Sequence, residues 1–103
     1  MRWVKKGLIF QPPNNVSWMC THAMHPFADK IGDRHRVYFA GRDEMNRSQI
    51  GYFEINIRNP REIVRVSDRP VVRPGPLGSF DECGCNTPWI VDHNQKKYMY
   101  YTG

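Results

Sequence analysis

The apolar residues of this chain come in short runs, each cut off by glycine or proline before a helix could complete a few turns. Arg36-Val37-Tyr38-Phe39-Ala40 stops at Gly41. Ser48–Ile57 alternates from Phe53 onward, as a half-buried strand does, and Asn59-Pro60-Arg61 turns it. Ile63–Val66 runs toward a Pro-rich stretch from Arg69 to Leu77, which should be extended without regular pairing, and Lys97–Thr102 is a last aromatic run. No window holds a helical period. The sequence therefore predicts an all-β, antiparallel chain: four strands in meander order, around residue 22 and over 36–40, 50–57 and 63–66, then two more over 87–92 and 97–102. A further short strand is expected at Gly7–Phe10. Residues 17–28 read as an irregular strand, because Pro26 lacks an amide donor and biases His25 toward extended backbone.

Composition narrows the class. With 103 residues, 40% apolar and 24% charged, the chain suits one domain with a modest core and is too apolar for disorder. The net charge of +5 is spread over arginines from Arg34 to Arg73 that acidic residues interrupt, so a solvated surface, not a nucleic-acid footprint, is expected. No run approaches the roughly 18 apolar residues of a membrane span. Three cysteines cannot all pair, and the start of the chain lacks the apolar core of a signal peptide. Both point to reduced thiols and a cytoplasmic setting.

The stretch Phe80–Val91 carries the densest chemistry: Asp81, Glu82, Cys83, Cys85 and Asn86 sit at the mouth of an apolar segment. A weak internal repeat is also visible. An irregular Pro-containing segment precedes an aromatic strand ending in Gly twice, at Val37–Gly41 and at Met99–Gly103, with His22 and Pro88 about 65 residues apart.

His22-Ala23-Met24-His25-Pro26, Arg36–Phe39 with Gly41-Arg42-Asp43, Ser48-Gln49-Ile50-Gly51, Pro70-Val71 and Phe80–Gly84 together resemble the opening of a glycosidase-like family. Its members are five-bladed β-propellers related to arabinanases, invertases and levansucrases, some associated with bacterial polysaccharide biosynthesis. The resemblance implies a β-propeller fragment of about one and a half blades, blade one over about 1–72 and blade two beginning at about 80–103. It implies a carbohydrate partner, no cofactor, and a site on the inner strands, here His22–Pro26 and Asn86–Val91. It also implies that the chain is the N-terminal third of a longer protein, with exposed strand edges open to homo-oligomer formation.

Hydrolysis of a glycoside needs one carboxylic acid and a second carboxylate as base or nucleophile. The candidates are Asp43, Asp81 and Glu82, with His22, His25, Arg42 and Asn86 as substrate-binding residues. The sequence departs from the family's pattern: His25 stands where the first blade's aspartate is expected, and Asn86-Thr87 where the second acidic residue is. For Asp81 and Glu82 the alternative role is to satisfy turn amides, and for Arg42-Asp43 a loop ion pair. Trp18 and Trp89 could stack on sugar rings, with core packing the more natural role for Trp89. Two further readings are a non-catalytic carbohydrate-binding or scaffold protein, and a zinc module drawing on Cys20, His22, His25, Cys83 and Cys85.

Overall fold

A computed structural model describes residues 1–103. It is all-β. Strands β1 (Thr21–Ile31), β2 (Arg34–Arg42), β3 (Ser48–Asn56) and β4 (Ile63–Val66) form an antiparallel sheet in chain order, and β5 (Asn86–His93) pairs with β6 (Lys96–Thr102) as a separate hairpin. No helix of the structure is long and apolar enough to cross a membrane.

The meander's first hairpin turns at Gly32, whose φ of 61° meets the demand of the first central position of a II′ turn. In the second hairpin, Asn94 and Gln95 both have positive φ, as a type I′ turn requires. β1 and β5 share a deeper likeness. Met24 pairs with Ala40, Phe27 with Tyr38 and Ala28 with Val37; Asn86 pairs with Thr102, Trp89 with Tyr100 and Ile90 with Met99. Each residue of the second set stands 62 positions after its counterpart in the first, and so do the bulge, the proline (Pro26, Pro88) and the terminal glycine (Gly41, Gly103). The repeat faintly visible in the sequence is a repeat of backbone register.

The sheet is covered on both faces. On one, Val37, Phe39, Phe53 and Ile55 pack with Trp18, Met19 and Phe10. On the other, Tyr38, Ile50 and Tyr52 meet Cys85 and Ile90 from the β5–β6 unit, with Phe27, Met99 and Tyr101 alongside. β3 is consequently buried on both sides rather than alternating between core and solvent. Lys97 ties the units at their far end, donating to Asp29 of β1 (3.2 Å) and Asp92 of β5 (2.9 Å).

Four local expectations are corrected. Gly7–Phe10 forms no strand; Phe10 instead plugs the sheet as a single aromatic, stacked on Phe53 at 4.4 Å. Residues 17–20 precede β1 and make no strand. Pro26 does not leave His25 extended, because the β-bulge places it at φ 50°. The two tryptophans exchange roles: Trp18 is core, and Trp89 is 59% exposed. Trp18 fits only because Gly51 lies beneath it, where a Cβ would come within 2.0 Å of its ring.

Candidate functional site

Register decides which end of the sheet carries chemistry. Thr21 pairs with Arg42, Arg42 with Ser48, and Cys85 N–H donates to Ser48 O at 2.8 Å. These pairings place the start of β1, the β2–β3 loop and the turn before β5 at one end. His22, His25, Arg42, Asp43, Asp81, Glu82 and Asn86 therefore all belong to the same end of the fold, although they span more than half the chain.

Within that end they do different things. His25 and Asn86, 61 residues apart, are brought together across the gap between β1 and β5, with His25 Nδ1 2.8 Å from Asn86 Oδ1. Asn86 Oδ1 also accepts from Thr87 N–H at 2.9 Å. His25 (φ 50°) and Thr87 (φ 52°) are equivalent in the repeat, and both precede proline in left-handed backbone. For a β-branched residue such as Thr87 that conformation costs about 1–3 kcal/mol and persists where the surroundings enforce it. The His22 side chain, also on a residue at positive φ, hydrogen-bonds its neighbour, with Nδ1 2.7 Å from Thr21 Oγ1, and is exposed.

Asp43 is buried and saturated. Its Oδ1 accepts from the Met45 and Arg47 amides (2.9 and 2.8 Å), and its Oδ2 accepts from Arg47 Nε (3.1 Å) and Gln49 Nε2 (2.8 Å). Burial pushes its pKa up, but the Arg47 amide, the Gln49 amide and the Arg47 guanidinium outweigh it and hold the carboxyl below its usual range. Arg42 turns away from Asp43 to donate to Asn46 Oδ1 at 2.9 Å, and its buried Nε has no partner. The expected Arg42–Asp43 pair is thus replaced by Arg47–Asp43. Arg47 and Gln49 were missed from sequence, and their one cue was spacing: four and six residues beyond an aspartate at the head of a tight loop.

Asp81 fastens the 75–84 turn to β6. Ser79 Oγ donates to its Oδ1 and Tyr101 OH to its Oδ2, both at 3.0 Å, and Cys85 Sγ lies 3.9 Å from Oδ2. Burial raises its pKa, yet the Tyr101 and Ser79 hydroxyls bring it below the ordinary value. Burial, and then the Asp81 charge beside it, pushes the Cys85 thiol up to about 11. Glu82 accepts from the Gly78 amide within the same turn. Two clefts flank this end. The larger, about 540 Å³, is lined by Trp18, Asp43, Arg47, Gln49, Arg69 and Arg73 among others; a smaller one, about 310 Å³, lies beside Asn86, Thr87, Ser48 and Thr102.

The soft ligands do not assemble. Cys20 Sγ donates to Val16 O and Ser17 O, Cys83 is exposed and Cys85 is buried, and no three His, Cys, Asp or Glu side chains form a group able to hold a metal ion.

The chain is 39% identical, over 104 aligned positions, to uncharacterized protein MT1551 of Mycobacterium tuberculosis (strain CDC 1551) and to uncharacterized protein Rv1502 of the same species (strain H37Rv). The match takes in the whole of this chain and 35% of each relative, so the chain spans about a third of the length of the curated relatives it matches. No family model and no solved structure matches it.

Proposed function

We propose that the chain forms about one and a half successive units of a β-propeller and binds carbohydrate where the heads of β1 and β5 converge. The observation that carries this reading is the His25–Asn86 contact, which joins the edge strands of two successive units at 2.8 Å, beside the left-handed pre-proline residues His25 and Thr87. An imidazole and a carboxamide side by side offer both donors and acceptors, the groups that sugar hydroxyls need.

Several features support the propeller. The two units stack face to face, each beginning on its edge strand. The chain then returns from outer β4 to β5 along the end of β3, through Val72 opposite Ile50 and Gly84 opposite Ser48. Relatives of which 104 positions make up 35% run to about 300 residues, room for about five units of 62. The resemblance to propeller glycosidases supplies the ligand class.

Binding is favoured over hydrolysis by this chain. A glycosidase needs two carboxyl groups free to meet a sugar. Asp43 accepts four hydrogen bonds from its own loop and Asp81 is held by two hydroxyls, so neither is available as acid or nucleophile. These aspartates shape the rim, and the scaffold role in polysaccharide biosynthesis fits that division better than catalysis does.

The test is a screen of neutral and acidic oligosaccharides by saturation-transfer NMR. Binding is expected, reduced at least about tenfold by His25→Ala and by Asn86→Ala, the loss that follows from about 1.4 kcal/mol of hydrogen bonding. Failure of every sugar, or binding that both variants leave intact, rejects the site. Reducing-sugar release that Asp81→Asn abolishes would restore the hydrolytic reading.

A further inference from the structure

Most arginines of this fold have a partner within it. Arg34 and Arg36 pair with Glu54, and Arg47 pairs with Asp43. Arg42 donates to Asn46 Oδ1 and Arg61 to Lys6 O. Of the others, Arg2 lies in the N-terminal coil, Arg58 in the turn after β3, and Arg65 on β4 beside the Tyr52 ring. Arg69 and Arg73 complete the set. Both are exposed, neither belongs to an ion pair, and both line the same cleft of about 540 Å³. Arg47 lines it too, and only its Nε is engaged, at 3.1 Å from Asp43 Oδ2, so its two terminal nitrogens are free to donate.

Both walls of the cleft are fixed without a ligand. One is the β2–β3 loop, curled around Asp43 by the Met45 and Arg47 amides. The other, residues 68–74, is stitched to the rest of the fold. Trp18 Nε1 donates to Asp68 O at 3.3 Å, Val71 N–H to Ile50 O at 2.8 Å, and Ile50 N–H to Val72 O at 2.9 Å. Pro70 and Pro74 each follow an arginine and lock their own φ, so Arg-Pro occurs twice at a spacing of four on pinned backbone. A ligand would therefore order arginine side chains and little else. Three carboxylates share the cleft. Asp43 is saturated by its own loop, and Glu44 and Asp68 stay in solvent, unpaired with any arginine. Those two free acids repel a long polyanion, whereas a compact anion can sit on the guanidinium forks alone.

We infer that this cleft binds a small molecule through a compact oxyanion, a phosphate or carboxylate group held by Arg69 and Arg73 with the free end of Arg47 alongside. Its volume falls in the range of small-molecule sites, about 300–1,000 Å³, so it has room for a body attached to the anionic group. Arginine suits the task because its planar fork matches both carboxylate and phosphate oxygens and keeps its charge at any ordinary pH. Neither His25 nor Asn86 lines the cleft, so the oxyanion site is separate from the contact proposed for carbohydrate and does not depend on it.

The experiment titrates the 103-residue chain with inorganic phosphate, methyl phosphate and acetate at constant ionic strength, following the arginine Nε–H signals by NMR. Saturable shifts at Arg47, Arg69 and Arg73, with none at Arg58, are expected. Arg69→Gln and Arg73→Gln fall on exposed side chains and should leave the fold intact while weakening binding about three- to tenfold each. Arg58→Gln should leave it unchanged. Arg69→Lys and Arg73→Lys keep the charge but lose the fork, so they should recover only part of the affinity. A preference for the phosphates or for acetate tells which oxyanion the site takes, and either supports it. Shifts that grow linearly without saturating, or that Arg58→Gln reduces as much as Arg69→Gln does, overturn the inference. So does full recovery by lysine, since attraction would then be diffuse charge without a site. Tighter binding of a single-stranded oligonucleotide than of methyl phosphate also overturns it, because the partner would then be a polyanion.

Discussion

β1–β2 and β5–β6 have the same register, the same bulge and the same pre-proline strain, yet they live in different surroundings. The first hairpin is walled in by β3 and by layers on both faces, so Phe39 and Ala40 have no exposure at all. The second has no third strand beside it and one uncovered face, and Trp89 and Tyr100 stand in solvent. Their side chains share little beyond the proline, the glycine and a tyrosine. Backbone geometry in this repeat is thus specified by a few punctuating residues, whereas burial is specified by what stacks on each face.

The largest break in the symmetry should come from truncating a core position and, in the second unit, the exposed equivalent of its neighbour Tyr38. Phe39→Ala empties a fully enclosed ring site and is expected to cost about 3–5 kcal/mol in urea unfolding. Tyr100→Ala, on the matching strand of the second unit, should change stability by less than about 0.5 kcal/mol. Similar costs at both positions would show that the face bearing Tyr100 is covered after all.

Gly51→Ala comes next. Gly51 has no special backbone angle; it is glycine because the Trp18 ring rests on it, and a Cβ would meet that ring at 2.0 Å and the Ser67 hydroxyl at 2.9 Å. Overpacking of this kind costs about 1–3 kcal/mol. A Gly51→Ala, Trp18→Leu double variant that loses less than the two single changes combined would confirm the steric cause.

These positions also show what a sequence can disclose. Period-two alternation and turn residues were enough for the six strands, because each of those signals is local. That the candidate residues share one end was an implication of the family resemblance and not of any local pattern, because Asp81, Glu82 and Asn86 lie outside the β1–β4 meander. Gly7–Phe10 was misread because a lone aromatic plug and a short strand have the same composition. The burial of Trp18 and exposure of Trp89 were inverted because burial here depends on layer stacking, which no local pattern encodes. Likewise Asp43 drew attention as an acid beside Arg42, but its partner was set by the loop's curl, which brought Arg47 and Gln49 round instead.

The pH response should separate the units further. Asp43, Glu54 and Asp81 are all held below their ordinary range, so their contribution is present above about pH 4 and is lost as the pH falls through the lowered values. At the alkaline side the second unit should respond through Cys85. The Cys85 thiol has its folded pKa raised from 9.0 to about 11, so stability is full below 9.0 and declines as the pH rises toward 11. Its counterpart 62 residues earlier is Ala23, which cannot titrate. Thermal midpoints of Cys85→Ala should therefore fall less than those of the unsubstituted chain between pH 9 and 11, and parallel slopes would deny Cys85 this role.

The smallest effect concerns the turns that close the two hairpins. The first uses Gly32 for its positive φ, at no steric penalty. The second asks both Asn94 (φ 49°) and Gln95 (φ 63°) to adopt left-handed backbone. Asparagine tolerates this, but glutamine has no short polar group to compensate and loses roughly 1–2 kcal/mol to the clash of its Cβ with the carbonyl that follows. Gln95→Gly turns the loop into Asn-Gly, the pair that type I′ turns favour most. Glycine gives back part of that gain through the extra freedom of its unfolded chain, about 0.4–1 kcal/mol. The net is a stabilisation of about 0.5–1 kcal/mol, read as a higher urea midpoint at unchanged slope. The complementary change, Gly32→Ala, meets no atom within 4 Å yet must hold φ 61°, so it should destabilise by a similar amount through backbone strain alone. If Gln95→Gly leaves the midpoint where it was while Gly32→Ala lowers it, the second hairpin opens before the sheet does. Its turn would then lie outside the cooperative unit that urea reports, a division of stability that matches its single covered face.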